Sequence, residues 1–267
     1  MELVEPAPAK LNLALHVRGK LPDGRHAIET IFAFCTDGDK LAVTAADELT
    51  LDVAGPFAGE LGSPEDNLVL RAALLLKERA GVGQGAALTL TKFLPVASGI
   101  GGGSADAAAA LRLLTRVWNI DPSIAQEVAP ELGSDVPACL LSMTARGEGA
   151  GDALQLVDAG VSGSPVLLIN PRAEVSTREV FERWDGEDKG PLGDWRDGRN
   201  DLEPIAVEMV PLIGAVLAWL SIQVGTTFIR MSGSGATCFA LFESEEARDA
   251  AVTAVPREWW KLATFLR

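Results

Sequence analysis

Four glycines lead directly into an alanine-rich segment of strong helix-forming composition. Residues 95–110 read P-V-A-S-G-I-G-G-G-S-A-D-A-A-A-A. Glycines lack a Cβ atom, so the backbone can turn freely and approach a ligand, and Ser104 can cap the helix that follows. Unpaired N–H groups and the helix dipole then point at one spot, which favours an anion such as phosphate. The run matches neither the Walker nor the dinucleotide pattern. A flexible loop before a helix is the alternative, but a glycine run that opens directly onto a helix favours phosphate binding.

Three further features are ordinary when each is considered alone. The glycine run at 232–236 lies between two strand-like stretches and is typical of a tight turn. Asp135, in L-G-S-D-V-P, precedes a proline that suits the first turn of a helix, so its carboxylate could be a cap. Lys10 alone could be a surface lysine at the start of a strand.

The charge and the cysteine content narrow the class of protein. With 23 basic against 37 acidic residues, the formal net charge is -14, which repels nucleic acid and anionic membranes over most of the surface. We therefore expect no nucleic-acid partner and no membrane partner. Three widely separated cysteines are typical of a reduced, cytoplasmic protein, and two histidines argue against a zinc site. The apolar stretch 209–224 is short for a membrane span and predicts a buried helix.

Alternating apolar and polar residues predict several strands in the first half. Residues 11–17 alternate in this way, which predicts a half-buried strand with Lys10 on its polar face. The segments 41–43 and 49–53 predict a hairpin, and the segment 88–90 predicts another strand.

Helical spacing occurs in both halves of the chain. Apolar residues after Asp66 predict a helix that Asp66 caps and Gly81 ends. The second half predicts the order β-α-α-β-β-α-β, which indicates a compact second domain. Its segments are a strand at 166–169, a helix at 178–184, a long helix from Asp201, strands at 228–231 and 237–242, a helix from Ser244 and a strand at 260–266.

The stretch 185–200 is rich in Gly, Asp and Arg and predicts an exposed loop. We place the domain junction near residue 157. This gives an N-terminal domain at 1–157 and a C-terminal domain at 158–267.

Taken together, four segments resemble the GHMP small-molecule kinases in order and approximate spacing. They are P-A-P-A-K-L-N-L at 6–13, the glycine run at 95–108, L-G-S-D-V-P at 132–137 and M-S-G-S-G-A at 231–236. The resemblance covers nearly the whole chain. Within that family, D-G-R-H-A-I-E-T-I-F at 23–32 and E-D-N-L at 65–68 most resemble the kinases of a cytidylyl-erythritol substrate.

The resemblance implies a fold and a reaction. The fold is α+β, a two-domain GHMP kinase fold with an N-terminal domain like the second domain of ribosomal protein S5 and a ferredoxin-like C-terminal domain. The reaction is transfer of the ATP γ-phosphate, with Mg²⁺, to the 2-hydroxyl of 4-diphosphocytidyl-2-C-methyl-D-erythritol, in the non-mevalonate route to isoprenoids. Such a transfer asks the protein mainly for positioning and charge stabilisation. The sequence leaves the oligomeric state open.

The resemblance also implies roles for individual residues. Asp135 would be the catalytic base and Lys10 its partner. The residues expected to bind ATP are Asn67, Lys92, Pro95, Val96, Ala97, Ser98, Gly99, Ile100, Gly101, Gly102, Gly103 and Ser104, of which Ser104 is also a candidate Mg²⁺ ligand. The residues expected to bind the cytidylyl substrate are Asn12, Arg25, His26, Thr177 and Phe181.

One position departs from the family's pattern. The family usually has a tyrosine that stacks on cytosine where this chain has Arg25, and the chain contains no tyrosine. A guanidinium plane can also stack on a base.

Three alternatives to this function stay open. The chain could be a related kinase for homoserine, mevalonate or a sugar, or an inactive nucleotide-binding or regulatory protein on the same fold. In the third alternative, the glycine runs only form turns. The intact Lys10, Asp135 and residues 99–104 favour an active enzyme.

Overall fold

The chain forms two compact units, each built from separated stretches of sequence. The computed structural model describes residues 2–63 and 66–267, so Glu65 of the E-D-N-L motif lies outside the described residues. The first unit contains the residues up to Ala9, Asp37–Val96 and Gly101–Ser142, and the second contains Lys10–Thr36, Ala97–Ile100 and Met143–Arg267. A domain junction near residue 157 stays a prediction.

Strands and helices are mixed along the described chain. The strands are β1 (Leu3–Lys20), β2 (His26–Thr44), β3 (Leu49–Ala54), β4 (Ala86–Thr91), β5 (Ala145–Glu148), β6 (Ala153–Leu156), β7 (Pro165–Asn170), β8 (Thr226–Met231), β9 (Cys238–Phe242) and β10 (Trp260–Phe265). The helices are α1 (Leu68–Ala80), α2 (Gly102–Val117), α3 (Pro122–Leu132), α4 (Val136–Leu141), α5 (Thr177–Glu182), α6 (Glu203–Met209), α7 (Pro211–Ser221) and α8 (Glu245–Ala254), with a 3-10 turn at Ala58–Glu60.

In the first unit, β4 lies between β3 and the end of β2. Residues 40–44 of β2 pair antiparallel with β4, and β3 pairs parallel with β4. The predicted hairpin of β2 and β3 is therefore wrong, although both strands exist. A parallel pair needs a crossover connection, which α1 supplies between β3 and β4. Alternation identifies a strand but not its neighbour, and this is why the pairing was not predictable from the local pattern.

Helix α1 begins one residue later than predicted. The side chain of Asn67 accepts a hydrogen bond from the N–H of Val69 at 2.9 Å, so Asn67 caps the helix in place of Asp66. Gly81 ends it in the left-handed conformation with a φ of 65°, as predicted. Helix α2 packs against α1, α3 and α4, and its alanines at 107–110 are completely buried. Such small side chains allow close helix packing around α2.

The second unit contains a four-stranded antiparallel sheet in the order β10-β7-β9-β8. Helices α7 and α8 pack on this sheet, and a core that includes Leu167, Ile169 and Val216 forms around it. Residues 30–32 of β2 pair antiparallel with β5, which pairs antiparallel with β6. The predicted succession of strands and helices is confirmed apart from one additional helix.

That additional helix arises because the long helix predicted from Asp201 breaks at Val210. The residue has extended angles, with φ -134° and ψ 87°, and Pro211 follows it. Proline has no backbone N–H and disfavours the helical region at the residue before it, so α6 ends and α7 starts anew.

Helix α7 buries only one of its faces. Ile213, Val216 and Leu220 are fully buried, but Leu212 is 50% exposed, so the prediction of a buried helix over 209–224 is wrong for the other face. In the described part of the chain, no single helix has the length and apolar character of a membrane span. Among the described helices, α6 and α7 have that length and apolar character only when they are taken together, and a bend of 119° separates them.

The stretch 185–200 lacks regular structure but is anchored to the second unit. The prediction of an exposed loop is wrong for Leu192 and Trp195, which are buried. The Trp195 indole N–H donates to the carbonyl of Ala159 at 3.0 Å. His16 Nδ1 lies 3.1 Å from the carbonyl of Gly190, and its Nε2 accepts from the N–H of Arg199 at 3.2 Å. Strand β1 and this segment thus hold each other in place.

Both faces of the central part of β1 are covered, contrary to the prediction of a half-buried strand. Lys10, Asn12 and His16, which alternate along its polar face, are 3%, 2% and 2% exposed. Buried polar groups require hydrogen-bond partners, so this face must be lined by polar groups from elsewhere in the chain.

Candidate active site

The two glycine runs meet in the second unit. Gly99 has a φ of 76°, and a Cβ atom on it would lie 2.5 Å from the carbonyl oxygens of Ser232 and Gly235. The hydroxyl of Ser232 donates to the carbonyl of Gly99 at 2.9 Å. Only glycine allows such a close backbone approach. Residues 232–236 are thus more than a turn between strands, because they support the start of the first glycine run.

The rest of the first glycine run begins helix α2 in the first unit. Gly101, with a φ of 64°, forms the N-cap, and no side chain caps the helix. The prediction that Ser104 caps it is wrong, because the helix starts at Gly102 and Ser104 lies within its first turn. The first N–H groups of a helix have no acceptor inside it. At the start of α2 they provide donors beside the positive end of the helix dipole, an arrangement that suits an anion.

A buried ion cluster lies beside the start of α2. Lys92, directly after β4, donates to the carboxylates of Asp39 and Asp106, the latter at 2.7 Å. All three residues are almost completely buried. Burial alone lowers the pKa of Lys92, but the two carboxylates outweigh it and raise the pKa. Burial and the like charge of Asp39 raise the pKa of Asp106 to about 7 against the attraction of Lys92.

Asp39 and Asp106 belong to this buried cluster, and the sequence did not reveal them. The one local signal was a carboxylate at Asp106 inside an alanine-rich helical run. Asp39 lies far from the glycine run in sequence, so only the packed structure brings it to Lys92.

Asp135 stands at the N-cap position of α4, but its carboxylate does not cap the helix. The residue is half-buried, and its carbonyl accepts the N–H of Cys139 at 3.0 Å. The alternative that the Asp135 carboxylate caps a helix is therefore wrong. Asp135 belongs to the first unit, whereas Lys10 belongs to the second.

Lys10 is buried in β1 among polar partners of the second unit. Its Nζ donates to Asn12 Oδ1 at 3.0 Å and lies 5.0 Å from the centroid of the Phe32 ring. The side-chain amide of Asn12 donates to the hydroxyl of Thr30 at 2.8 Å, and the backbone N–H of Asn12 donates to the hydroxyl of Ser232 at 3.1 Å. The alternative of a surface lysine is wrong. Lys10 and Asn12 instead lie beside the second glycine run.

An aromatic cluster gathers His26 and Phe181 in the second unit. Their ring centroids are 4.9 Å apart, and the ring of Trp184 meets His26 edge-on at 5.6 Å. His26 Nε2 and Trp184 Nε1 are shut off from solvent and have no hydrogen-bond partner in the described residues. Burial, with a smaller contribution from Lys20, lowers the pKa of His26, so the ring is neutral at pH 7. Trp184 was not predicted, and no sequence motif marked it.

Thr177 and Arg25 flank this aromatic cluster in sequence. Thr177 lies one helical turn before Phe181 on α5, and its hydroxyl lies 2.8 Å from that of Ser234. Arg25 directly precedes His26 and is half-exposed. Its guanidinium contacts the carboxylates of Asp23 and Asp152 at 2.8 and 3.4 Å. The roles of these residues in binding stay predictions.

Two family models match the chain. The model of the GHMP kinases N terminal domain matches residues 67–143, and the model of the GHMP kinases C terminal region matches residues 181–262. The two matches together cover more than half of the sequence. The chain belongs to the GHMP kinase family.

Full-length relatives of this GHMP kinase carry one enzyme name. A 4-diphosphocytidyl-2-C-methyl-D-erythritol kinase of Rhizorhabdus wittichii is 50% identical over 282 residues, covering 100% of this chain and 96% of the relative. The corresponding protein of Novosphingobium aromaticivorans is 47% identical over 273 residues, covering 100% and 94%. The crystal structure of a 4-(cytidine 5'-diphospho)-2C-methyl-D-erythritol kinase has a TM-score of 0.86 at 31% identity, covering 100% of this chain and 99% of that one.

A more distant neighbour shows only the shared fold. The homoserine kinase structure from Cytophaga hutchinsonii has a TM-score of 0.73 at 19% identity, covering 99% of this chain and 95% of that one. The predicted α+β GHMP kinase fold is confirmed.

The donors of this GHMP kinase fit a Mg²⁺ ion that arrives with a nucleotide. Among the described residues, no three His, Cys, Asp or Glu side chains converge to hold a metal. Mg²⁺ usually binds through one or two protein oxygens together with waters and substrate phosphates. The hydroxyl of Ser104 lies in the uncapped first turn of α2, and its role as a Mg²⁺ ligand stays a prediction.

Proposed function

We propose that this GHMP kinase transfers the γ-phosphate of ATP to the 2-hydroxyl of 4-diphosphocytidyl-2-C-methyl-D-erythritol. The products are the 2-phosphate and ADP, and the step belongs to non-mevalonate isoprenoid precursor synthesis. The observation that carries this proposal is the identity of 50% and 47% to full-length relatives with that enzyme name. We assign ATP binding to a domain at 1–157, the C-terminal GHMP kinase domain to 158–267, and a cytoplasmic location.

In this proposal, the glycine run 95–104 binds the phosphates of ATP. The left-handed Gly99 and Gly101 and the uncapped start of α2 support it, because they leave backbone N–H groups without side-chain competitors. Asn67 and Lys92 match positions near the adenosine in the family's pattern. Ser104 would be the protein ligand of a Mg²⁺ ion, which would supply positive charge against the phosphates of ATP.

Asp135 acts as the base that accepts the proton of the 2-hydroxyl. Such a group contributes typically about 10² to 10⁴ in rate. The half-buried position of its carboxylate at the start of α4, where it does not cap the helix, is compatible with this role. Lys10 is its proposed partner, which keeps the carboxylate ionised and offsets negative charge that develops during transfer.

The cytosine ring binds at the His26, Phe181 and Trp184 cluster, with Asn12, Arg25 and Thr177 completing the substrate site. The two unpartnered ring nitrogens support this assignment, since buried polar groups in native proteins are nearly always hydrogen-bonded. A base that enters the cluster supplies both an aromatic face for Phe181 and polar edge atoms for these nitrogens. Entry requires the rings to separate, because both nitrogens are closed to solvent.

A coupled assay of ADP release tests the proposal against its main alternative. The cytidylyl-erythritol and homoserine are offered side by side, and we expect turnover with the former alone. Homoserine kinases share the fold, but they have no need of the His26, Phe181 and Trp184 cluster. Turnover of homoserine with none of the cytidylyl compound would overturn the proposal.

A further inference from the structure

Lys92 joins three segments that are separate in sequence. Its ammonium lies at the end of β4, contacts Asp39 near the end of β2, and contacts Asp106 on the second turn of α2. Asp39 also accepts hydrogen bonds from the N–H groups of Phe93 and Leu94 at 2.5 and 2.8 Å. One carboxylate thus fixes both the lysine and the backbone that leads into the glycine run.

The ammonium of Lys92 is enclosed and lies directly beside Gly102. The Lys92 side chain is 2% exposed, and its Nζ lies 3.1 Å from the position that a Cβ atom on Gly102 would occupy. Asp39 Oδ2 is 3.8 Å from the same position. The charged groups therefore support the first turn of α2 from inside the first unit, while Gly103 on that turn is exposed.

Burying these three groups is expensive. Two carboxyl groups share a single ammonium, and Asp106 Oδ1 has no hydrogen-bond partner in the described residues. A well-packed apolar set is often as stable as buried ions or more so. The charged groups are therefore explained better by a need to fix the geometry of the first turn of α2 than by a gain in the free energy of unfolding.

We propose that Asp39, Lys92 and Asp106 are positioning residues of the nucleotide site, which hold the first turn of α2 so that its N–H groups converge on phosphate. Lys92 acts through Gly102 and does not itself contact the nucleotide. The inference rests on the proposed function, and it replaces a direct contact of Lys92 near adenosine with a role in phosphate binding. Displacing such donors by a fraction of an ångström weakens charge stabilisation, because the donors must be preorganised.

The test compares two variants of the cluster with a matched control on the same helix. Asp39→Asn and Asp106→Asn each replace one carboxyl group by an amide and keep the side-chain shape. Glu5→Gln makes the same chemical change where Glu5 pairs with Arg112 and Arg116 of α2, away from the glycine run. The measurements are the KM for ATP, the KM for the cytidylyl substrate, kcat, and the inhibition constant of inorganic triphosphate competing with ATP.

We expect Asp39→Asn to raise the KM for ATP and the inhibition constant of triphosphate together, each by about 10- to 100-fold. Asp106→Asn should move both constants in the same direction, and it keeps the proposal testable if Asp39→Asn does not fold. The KM for the cytidylyl substrate should stay within about 3-fold. Glu5→Gln should lower the unfolding temperature and leave both nucleotide constants unchanged.

Either of two results with the cluster variants would overturn the inference while the proposed function stands, and so would one result with the control. One is an unchanged KM for ATP in a folded cluster variant. The other is a raised KM for ATP with an unchanged triphosphate constant, which would place Lys92 at the adenosine. An equal effect of Glu5→Gln would also overturn it, because general loosening of α2 would then suffice. If the wild type neither binds ATP nor releases ADP, the proposed function itself fails.

Discussion

At the residue scale, the proposed chemistry of this GHMP kinase rests on side chains whose local sequence looks ordinary. Asp135 is the first example, since a carboxylate before a proline is commonly a helix cap. Here it does not cap α4. We expect Asp135→Asn to abolish turnover and to leave ATP affinity nearly unchanged, because the carboxylate acts on the acceptor hydroxyl. Calorimetric ATP titration together with the ADP-release assay checks this, and turnover within a few-fold of wild type would contradict it.

The aromatic cluster gives a second prediction at this scale. Phe181→Ala should cost roughly 1 to 3 kcal/mol in kcat/KM for the cytidylyl substrate, mostly through KM, by analogy with base stacking on aromatic residues. Trp184→Phe keeps a ring but removes the unpartnered N–H and should also raise this KM. Trp219→Phe is the control, since Trp219 pairs with Trp259 elsewhere in the second unit. The ATP parameters should barely move, and equal effects of all three variants would refute a specific pocket.

Arg25 provides a third prediction. Its guanidinium contacts Asp23 and Asp152 and remains half-exposed. Arg25→Tyr should retain activity, because a tyrosine ring can stack on the base in its place. Arg25→Glu should raise the KM for the cytidylyl substrate sharply, because a third carboxylate beside Asp23 and Asp152 repels the substrate's diphosphate. Steady-state kinetics of the two variants decide the matter, and equal KM values would exclude Arg25 from the site.

At the scale of elements, the glycine run is divided between the two units. Residues 97–100 belong to the second unit, where the run meets residues 232–236, and residues from Gly101 onward open α2 in the first. Each part is glycine-rich for its own reason. Gly99 faces carbonyl oxygens, while Gly102 faces the ammonium of Lys92.

The different surroundings of Gly102 and Gly103 at the start of α2 give a graded prediction. Gly102→Val should block nucleotide binding, since even a Cβ there lies 3.1 Å from Lys92 Nζ and a branched side chain also crowds the phosphate. Gly103→Ala should weaken binding less, because its Cβ would make ordinary contact with Leu68 Cδ1 at 3.6 Å. Calorimetry with ATP measures the order of effects, and unchanged affinity in Gly102→Val would mean that the loop only has a structural role.

At the scale of the whole molecule, stability depends on pH through His16. The ring accepts a hydrogen bond from the N–H of Arg199, and burial lowers the pKa of His16 below the ordinary value of a histidine. A group with a lowered folded pKa that is buried neutral stabilises the fold above its unfolded pKa, and this stability is lost as pH falls through the folded pKa. Between pH 7 and pH 5, the unfolding temperature of wild type should therefore fall more than that of His16→Gln. Parallel curves would show that His16 does not titrate on unfolding.

The sequence alone determined many of the elements, the family and the position of the glycine run. Alternation and helical spacing are local patterns of a few neighbouring residues, so β1, β4, α1 and the strands β7 to β10 were predictable. The four separated motifs likewise indicated the GHMP kinases, and the fold and family matches confirm this.

Only the tertiary structure decided which elements are neighbours and what the buried polar groups do. The local pattern could not show that β4 lies between β2 and β3, that Asp39 reaches Lys92, or that Trp184 meets His26. Each of these contacts joins residues far apart in the sequence, and its energy depends on packing that no short window contains. A single chain encodes such contacts only through the fold as a whole, since a buried charge acquires its partner, and a ring nitrogen is closed off from solvent, only when distant segments pack together.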